Sequence, residues 1–301
     1  MSRKGPGVCA VAPKRRLRHP RVVILDRAAQ HIAIMSSHWF ERFAGRFHFP
    51  QNYTTVDVET NGVSPTQSFI CSIGHTIVRA GVPTQTNEVY LNWPNHPDIN
   101  HEQFQQDLLR TQVAMERQGK PFHHTWEVLR NQGEDPIEVL RNHLDLFEQM
   151  EARREVAVMH NGWRFDVEFF QAHFHNWLRI PFVFDPELVY DTGIAEKASQ
   201  LQDQDDPLPL AGETMQQFAW RIGGLRRRGV FWALDSHCNE RYKLFEKAGM
   251  AETDAHRSGA DSLLLCHLMN SHAELAGMSN KIDLSVEGNQ TVVVDDADGE
   301  G

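Results

Sequence analysis

The stretch YTTVDVETNG, Tyr53 to Gly62, sets two carboxylates two residues apart inside a short apolar run. Strand side chains two apart point the same way, so Asp57 and Glu59 share one face while Val56 and Val58 turn to the core. Two like charges that close raise one another's pKa unless a cation lies between them. The pair therefore reads as part of a cation site or as a solvated strand face.

Two more stretches carry acids in useful places. In MHNGWRFDVEFF, Asp166 stands where an apolar run ends and a helix begins. There it either ligates a cation or merely complements the helix dipole. Glu168, two residues on, falls off that face. In TDAHRSGADSLLLCHLM, Asp261 enters an apolar helix five residues after His256. A histidine, with an ordinary pKa of about 6.5, suits a base that takes a proton from water at neutral pH. An ordinary loop histidine is the other reading. A two-metal phosphodiester site needs several carboxylates converging on ions about 3.5–4 Å apart. Hard oxygen donors favour Mg²⁺ or Mn²⁺, and no cysteine lies near these acids.

The elements that must position these residues follow from patterning. Apolar residues from Ser36 to Phe47, with Trp39, Phe40 and Phe43, recur at helical spacing. YTTVDVET, SFICSIGHTIV and NEVYLNW then read as three strands of an antiparallel meander, separated by turn-rich NGVSPTQ and RAGVPTQT. After Pro94 the pattern turns helical, over His101–Gln118 and from Asp135, an N-cap with Pro136 behind it. EVAVMH predicts a buried strand, followed by a helix from Phe165 to Trp177. FVF predicts another strand, and Ser258–His272 a last helix. Strands first, then strands alternating with helices, predict an α/β fold: a mixed sheet flanked by helices.

Bulk properties narrow the class. The chain has 301 residues, 41% hydrophobic and 23% charged, which suits a soluble globular protein with a sizeable core. No apolar run is long enough to span a bilayer, so no membrane partner is expected. Four cysteines without a close pair suit reduced thiols in a reducing, cytoplasmic compartment, not a disulfide framework or zinc knuckle. An organelle transit peptide stays open, because the first acidic residue is Asp26. The net charge of −10 argues against a generic nucleic-acid coat, but suits a site that meets phosphates through bound cations. Residues 1–22 form a basic arm expected to be disordered, and 279–301 an acidic tail.

Together VDVETNG, HNGWRFDVEFF and AHRSGADS resemble, in order, the three motifs of the DEDDh family of 3′-to-5′ exonucleases. The resemblance covers Tyr53 to Ser271 and implies a ribonuclease H-like fold with a mixed five-stranded sheet. It implies an exonuclease domain over 23–278, with its core at 53–272 and a helical N-terminal extension. Asp57, Glu59, Asp166 and Asp261 would hold two Mg²⁺ or Mn²⁺, and His256 would be the general base. Thr60, Asn61 and Gly62 match the loop that cradles the 3′-terminal nucleotide. Asn161 matches the amide of the second motif, and Asp191-Thr192 a fold-supporting pair.

The longer spacing Gly162-Trp163-Arg164 resembles the three-prime repair exonuclease branch. Trp163 and Arg164 would then meet nucleic acid by stacking and by phosphate contact, or Trp163 simply packs. Arg226, Arg227 and Arg228 either grip the substrate backbone or form a solvated face. The implied activity is release of nucleoside monophosphates from 3′ ends, of single-stranded DNA by preference. RNA trimming and a catalytically silent binding module are the alternatives. A protein partner is not specified by the sequence.

Overall fold

The computed structural model describes residues 38–47, 49–205, 207–225 and 228–278. The basic arm, the acidic tail, Arg226 and Arg227 lie outside the described residues.

Five strands form one sheet in the order β3-β2-β1-β4-β5. β1 (Tyr53–Thr60), β2 (Ile70–Arg79) and β3 (Val82–Tyr90) make the antiparallel meander, while β4 (Val156–Met159) and β5 (Val189–Asp191) run parallel to β1. Ala80 and Gly81, at φ 50° and 76°, close the β2–β3 hairpin with the turn sense that matches strand twist. β3 therefore begins at Val82, earlier than the expected NEVYLNW run. It is an edge strand, where Pro83 is tolerated and turn-like residues need not break the ladder. The strand expected at FVF does not form. Pro181 and Pro186 flank that segment, and Phe182 and Phe184 pack on Phe147 instead, at centroid distances of 6.3 and 4.8 Å. The strand lies five residues further on.

The helix over 38–44 (α1) docks through Trp39, Phe40 and Phe43, all buried, with Phe40 stacked on His272 at 4.4 Å. α2 (His101–Arg117) and α3 (Trp126–Gln132) follow the meander. α4 (Pro136–Ala152) starts as its sequence predicts, with the Asp135 carboxylate accepting from the Ile137 and Glu138 amides. α5 (Asp166–His173) is shorter than expected: Phe174–Leu178 widens into a π turn that stops at Arg179 in the left-handed region. α6 (Thr192–Asp205), α7 (Met215–Gly223), α8 (Asn239–Tyr242) and α9 (Leu244–Ala248) lead to α10 (Ser258–Leu275). Among the described residues no helix is long and apolar enough to cross a membrane.

α10 lies across β1, β2 and β3, and its seat is polar and very close. Tyr53 donates its hydroxyl to the Cys266 carbonyl at 3.4 Å, and Thr55 donates to the Ser262 carbonyl at 2.6 Å. The Ser258 hydroxyl donates to that of Ser72 at 2.9 Å. Tyr53, Thr55, Asp57 and Glu59 share a face, so the carboxylates sit on the face that α10 covers. They are half-buried, not on a fully solvated face. At Gly74, the cross-strand partner of Asp57, a Cβ would stand 2.0 Å from the Ser258 carbonyl carbon and 2.3 Å from the Gly259 nitrogen. Only glycine permits that approach. Gly74→Ala is expected to lower stability by about 2 kcal/mol or more through overpacking against backbone. A urea unfolding curve measures it, and an unchanged midpoint would show that α10 is not seated there.

Candidate active site

β1 pairs with β4 only over Tyr53–Thr55, then the two strands part. Past that point the Val58 amide is taken by the Asp166 carboxylate at 3.1 Å, which ties the first turn of α5 to the end of β1. β1 lies between an antiparallel and a parallel neighbour, and the crevice opens at the carboxyl end of the strands, where α/β sheets bind ligands. A cavity of about 540 Å³ forms there, and Asp57, Glu59, Asp166, His256 and Asp261 all line it. Glu59, His256 and Asp261 each offer an atom within 4.8 Å of the other two. Asp57 and Asp166 line the same wall without joining that close trio.

The electrostatics show what the arrangement asks for. Burial raises the Asp57 pKa, and the charges of Asp261, Asp166 and Glu59 raise it further. Burial pushes Asp166 and Asp261 up to about 8 each, with Glu59 adding to both shifts. Asp261 Oδ1 is buried and has no hydrogen-bond partner among the described residues. Concentrated carboxylates, an orphaned buried oxygen and a hard donor set fit divalent cations. His256 has φ 62°, a conformation costly for a side chain of its size. Its amide donates to Asp261 Oδ2 at 3.2 Å, and its Nε2 lies 3.1 Å from Asp235 Oδ2. Burial alone would lower its pKa, but Asp235 and Glu59 raise it to about 9. Asp235 is held well below the usual carboxylate range, against its burial, by His256 and by the Lys120 ammonium 2.9 Å away.

Asp235 and Lys120 were not among the sequence candidates. LDSHC carries no local signal, and Lys120 is one lysine in a polar turn; only the fold brings them to His256. His160 also lines the cavity. It bridges the Thr192 hydroxyl at 2.9 Å and the Trp232 carbonyl at 2.6 Å, and burial lowers its pKa to about 4, so it is neutral.

The substrate candidates divide. Thr60, Asn61 and Gly62 line a second cavity of about 830 Å³, which shares Glu59 and Phe165 with the first. Thr60 donates to the Gly62 carbonyl and Asn61 accepts from the Phe69 amide, so both side chains shape the loop. Asn161 lines the first cavity, in the left-handed region. Asp191 holds its amide at 2.8 Å and that of Trp163 at 3.2 Å, as expected of a supporting residue. Trp163 is not a stacking surface. It is 1% exposed and donates its indole N–H to the Val189 carbonyl, because the loop turns the ring into the core. Arg164 is exposed and donates to the Gly223 carbonyl at 2.7 Å, while Arg228 is exposed.

The sheet order and the carboxylate-lined crevice define an α/β protein built on a mixed five-stranded sheet. Solved structures similar to it include Escherichia coli exonuclease I with single-stranded DNA in its zinc-bound form, at 14% identity and TM-score 0.49, over 75% of this chain and 41% of that one. The same enzyme with a dA16 oligonucleotide is similar at 13% identity and TM-score 0.48, over 76% and 42%. The chain thus spans less than half the length of these proteins. No protein-family model matches it, and no curated protein does.

Two outcomes follow from the charges. An acid whose folded pKa is raised weakens the fold as pH rises, so the cation-free protein loses stability between about pH 4 and about pH 8. Added Mg²⁺ or Mn²⁺ is expected to raise Tm at pH 8 and not at pH 5; equal effects at both would contradict cation binding by these carboxylates. In Asp235→Asn, His256 loses a charged partner, and its pKa is expected to fall from about 9 toward its ordinary value. Ring-proton NMR of the cation-free protein reads this, and an unchanged titration would show that Asp235 does not hold the proton.

Proposed function

We propose that the chain is a cation-dependent 3′-to-5′ exonuclease of the DEDDh type, removing nucleoside monophosphates from single-stranded DNA. The observation that carries this reading is the convergence of Asp57, Glu59, Asp166, Asp261 and His256, from three distant segments, on one open cavity. Asp57, Glu59, Asp166 and Asp261 would hold two Mg²⁺ or Mn²⁺, whose charge offsets the carboxylates, weakens their hold on the His256 proton and polarises a phosphodiester.

The chain's own residues do the rest. His256 stands beside Glu59 at 3.7 Å and accepts the proton of the attacking water. Asp235, fixed in turn by Lys120, keeps the ring aimed, in the relation of an orienting acid to a base. Thr60, Asn61 and Gly62 shape the adjoining pocket for the terminal nucleotide, and Asn161 lines the cavity from the carboxyl end of β4, beside that of β1. The HNGWRFD spacing supports a reading nearer the three-prime repair exonuclease branch. Arg164 and Arg226 to Arg228 supply cationic groups for the strand's backbone.

Asp57→Asn is expected to lower mononucleotide release from single-stranded DNA by about 10³-fold or more, since it removes an acid central to cation binding. Circular dichroism should show the fold intact. Release at the wild-type rate by folded Asp57→Asn would end this reading.

A further inference from the structure

The segment between α7 and α8 holds an aromatic ring outside the core and at the mouth of the catalytic cavity. Phe231 is 54% exposed and lines that cavity together with Asp57, Glu59 and Asp166. An exposed phenylalanine on a loose loop would carry little meaning, but this one is held. Its amide donates to Gln200 Oε1 at 3.0 Å, and its carbonyl accepts from Gln200 Nε2 at 2.8 Å. The next carbonyl, that of Trp232, is 2.6 Å from His160 Nε2. One face of the Phe231 ring is covered by His237, parallel within 9° at a centroid distance of 4.8 Å. His237 lines the cavity too, three residues from Leu234 and two from Asp235. The backbone is fixed, the ring is backed, and apolar area remains turned to solvent beside the reacting groups.

From this geometry we infer that Phe231, backed by His237, is a stacking shelf for a base at or next to the 3′ end of the bound strand. The inference rests on the nuclease reading above and adds the way the strand is gripped at the cavity mouth. The wall around Asp57, Glu59, Asp166 and Asp261 is acidic, so without bound cations it repels phosphates. A ring stacked on a base is indifferent to that charge, and every base has a π face. A shelf of this kind accepts any sequence and any single strand whose bases are unpaired. A duplex end keeps its bases stacked within the helix and must fray to reach it.

Anisotropy of a 5′-fluorescein oligothymidylate, with Ca²⁺ in place of Mg²⁺, tests this on the full chain. The oligonucleotide is used intact and with an abasic residue at each of the three 3′-terminal positions in turn. Wild-type protein is expected to lose about 5- to 150-fold in affinity at one of these positions, the range of a single base–aromatic stack. Phe231→Ala should show that loss with the intact strand and no further loss at that position, while Phe231→Trp restores the wild-type pattern. Intact-strand affinity unchanged in Phe231→Ala, or an abasic penalty equal in both proteins, overturns the shelf. Mononucleotide release with Mg²⁺, measured in parallel, separates the two readings. Phe231-dependent binding without release by the wild type would sink the nuclease and leave the shelf, whereas no binding by the wild type would sink both.

Discussion

The approach of α10 to β2 at Gly74 is the contact on which the site depends. A helix whose backbone touches a strand brings Asp261, in its first turn, over the neighbouring strand that carries Asp57 and Glu59. Small residues make this possible: Gly74 admits the helix backbone, Gly259 admits the Glu88 side chain, and Ser258, Ser262, Thr55 and Thr76 join the layers with hydroxyls. Arg257 adds an ion pair to Glu88 of the edge strand at 2.7 Å, fixing the start of the helix from the other side. Bulky apolar packing would have kept the helix farther from the sheet and the carboxylates apart.

That closeness has an electrostatic consequence. Like charges pressed together under partial burial weaken the fold unless protons or cations share the space. The surrounding network offsets this locally. Val58 gives an amide to Asp166, His256 gives an amide to Asp261, and the His256 imidazole stands between Glu59 and Asp235. Asp261 Oδ1 stays without a partner among the described residues, which is unusual for a buried carboxylate.

Much of this was legible in the sequence because it rests on local pattern. The two-residue spacing of Asp57 and Glu59, the Asp135-Pro136 start of α4 and the aromatic spacing of α1 translate directly into faces and caps. What was not legible depends on chain segments far apart. Asp235 and Lys120 acquire their meaning only across a long separation, and Phe231 only because Gln200 pins its backbone. Trp163 takes the packing alternative that the sequence left open, because Asp191 turns the loop and sends the ring inward. The edge position that tolerates Pro83 and the prolines that silence FVF are likewise properties of sheet position, which composition alone does not report.

The most direct measurement uses 5′-labelled single-stranded DNA and RNA of one sequence, incubated with Mg²⁺, with Mn²⁺ and with EDTA, and resolved by length. A ladder that shortens from the 3′ end of the DNA is expected with either cation and none in EDTA. Full-length label in every lane, from a folded protein, would contradict it and leave the carboxylate cleft as a binding site without hydrolysis.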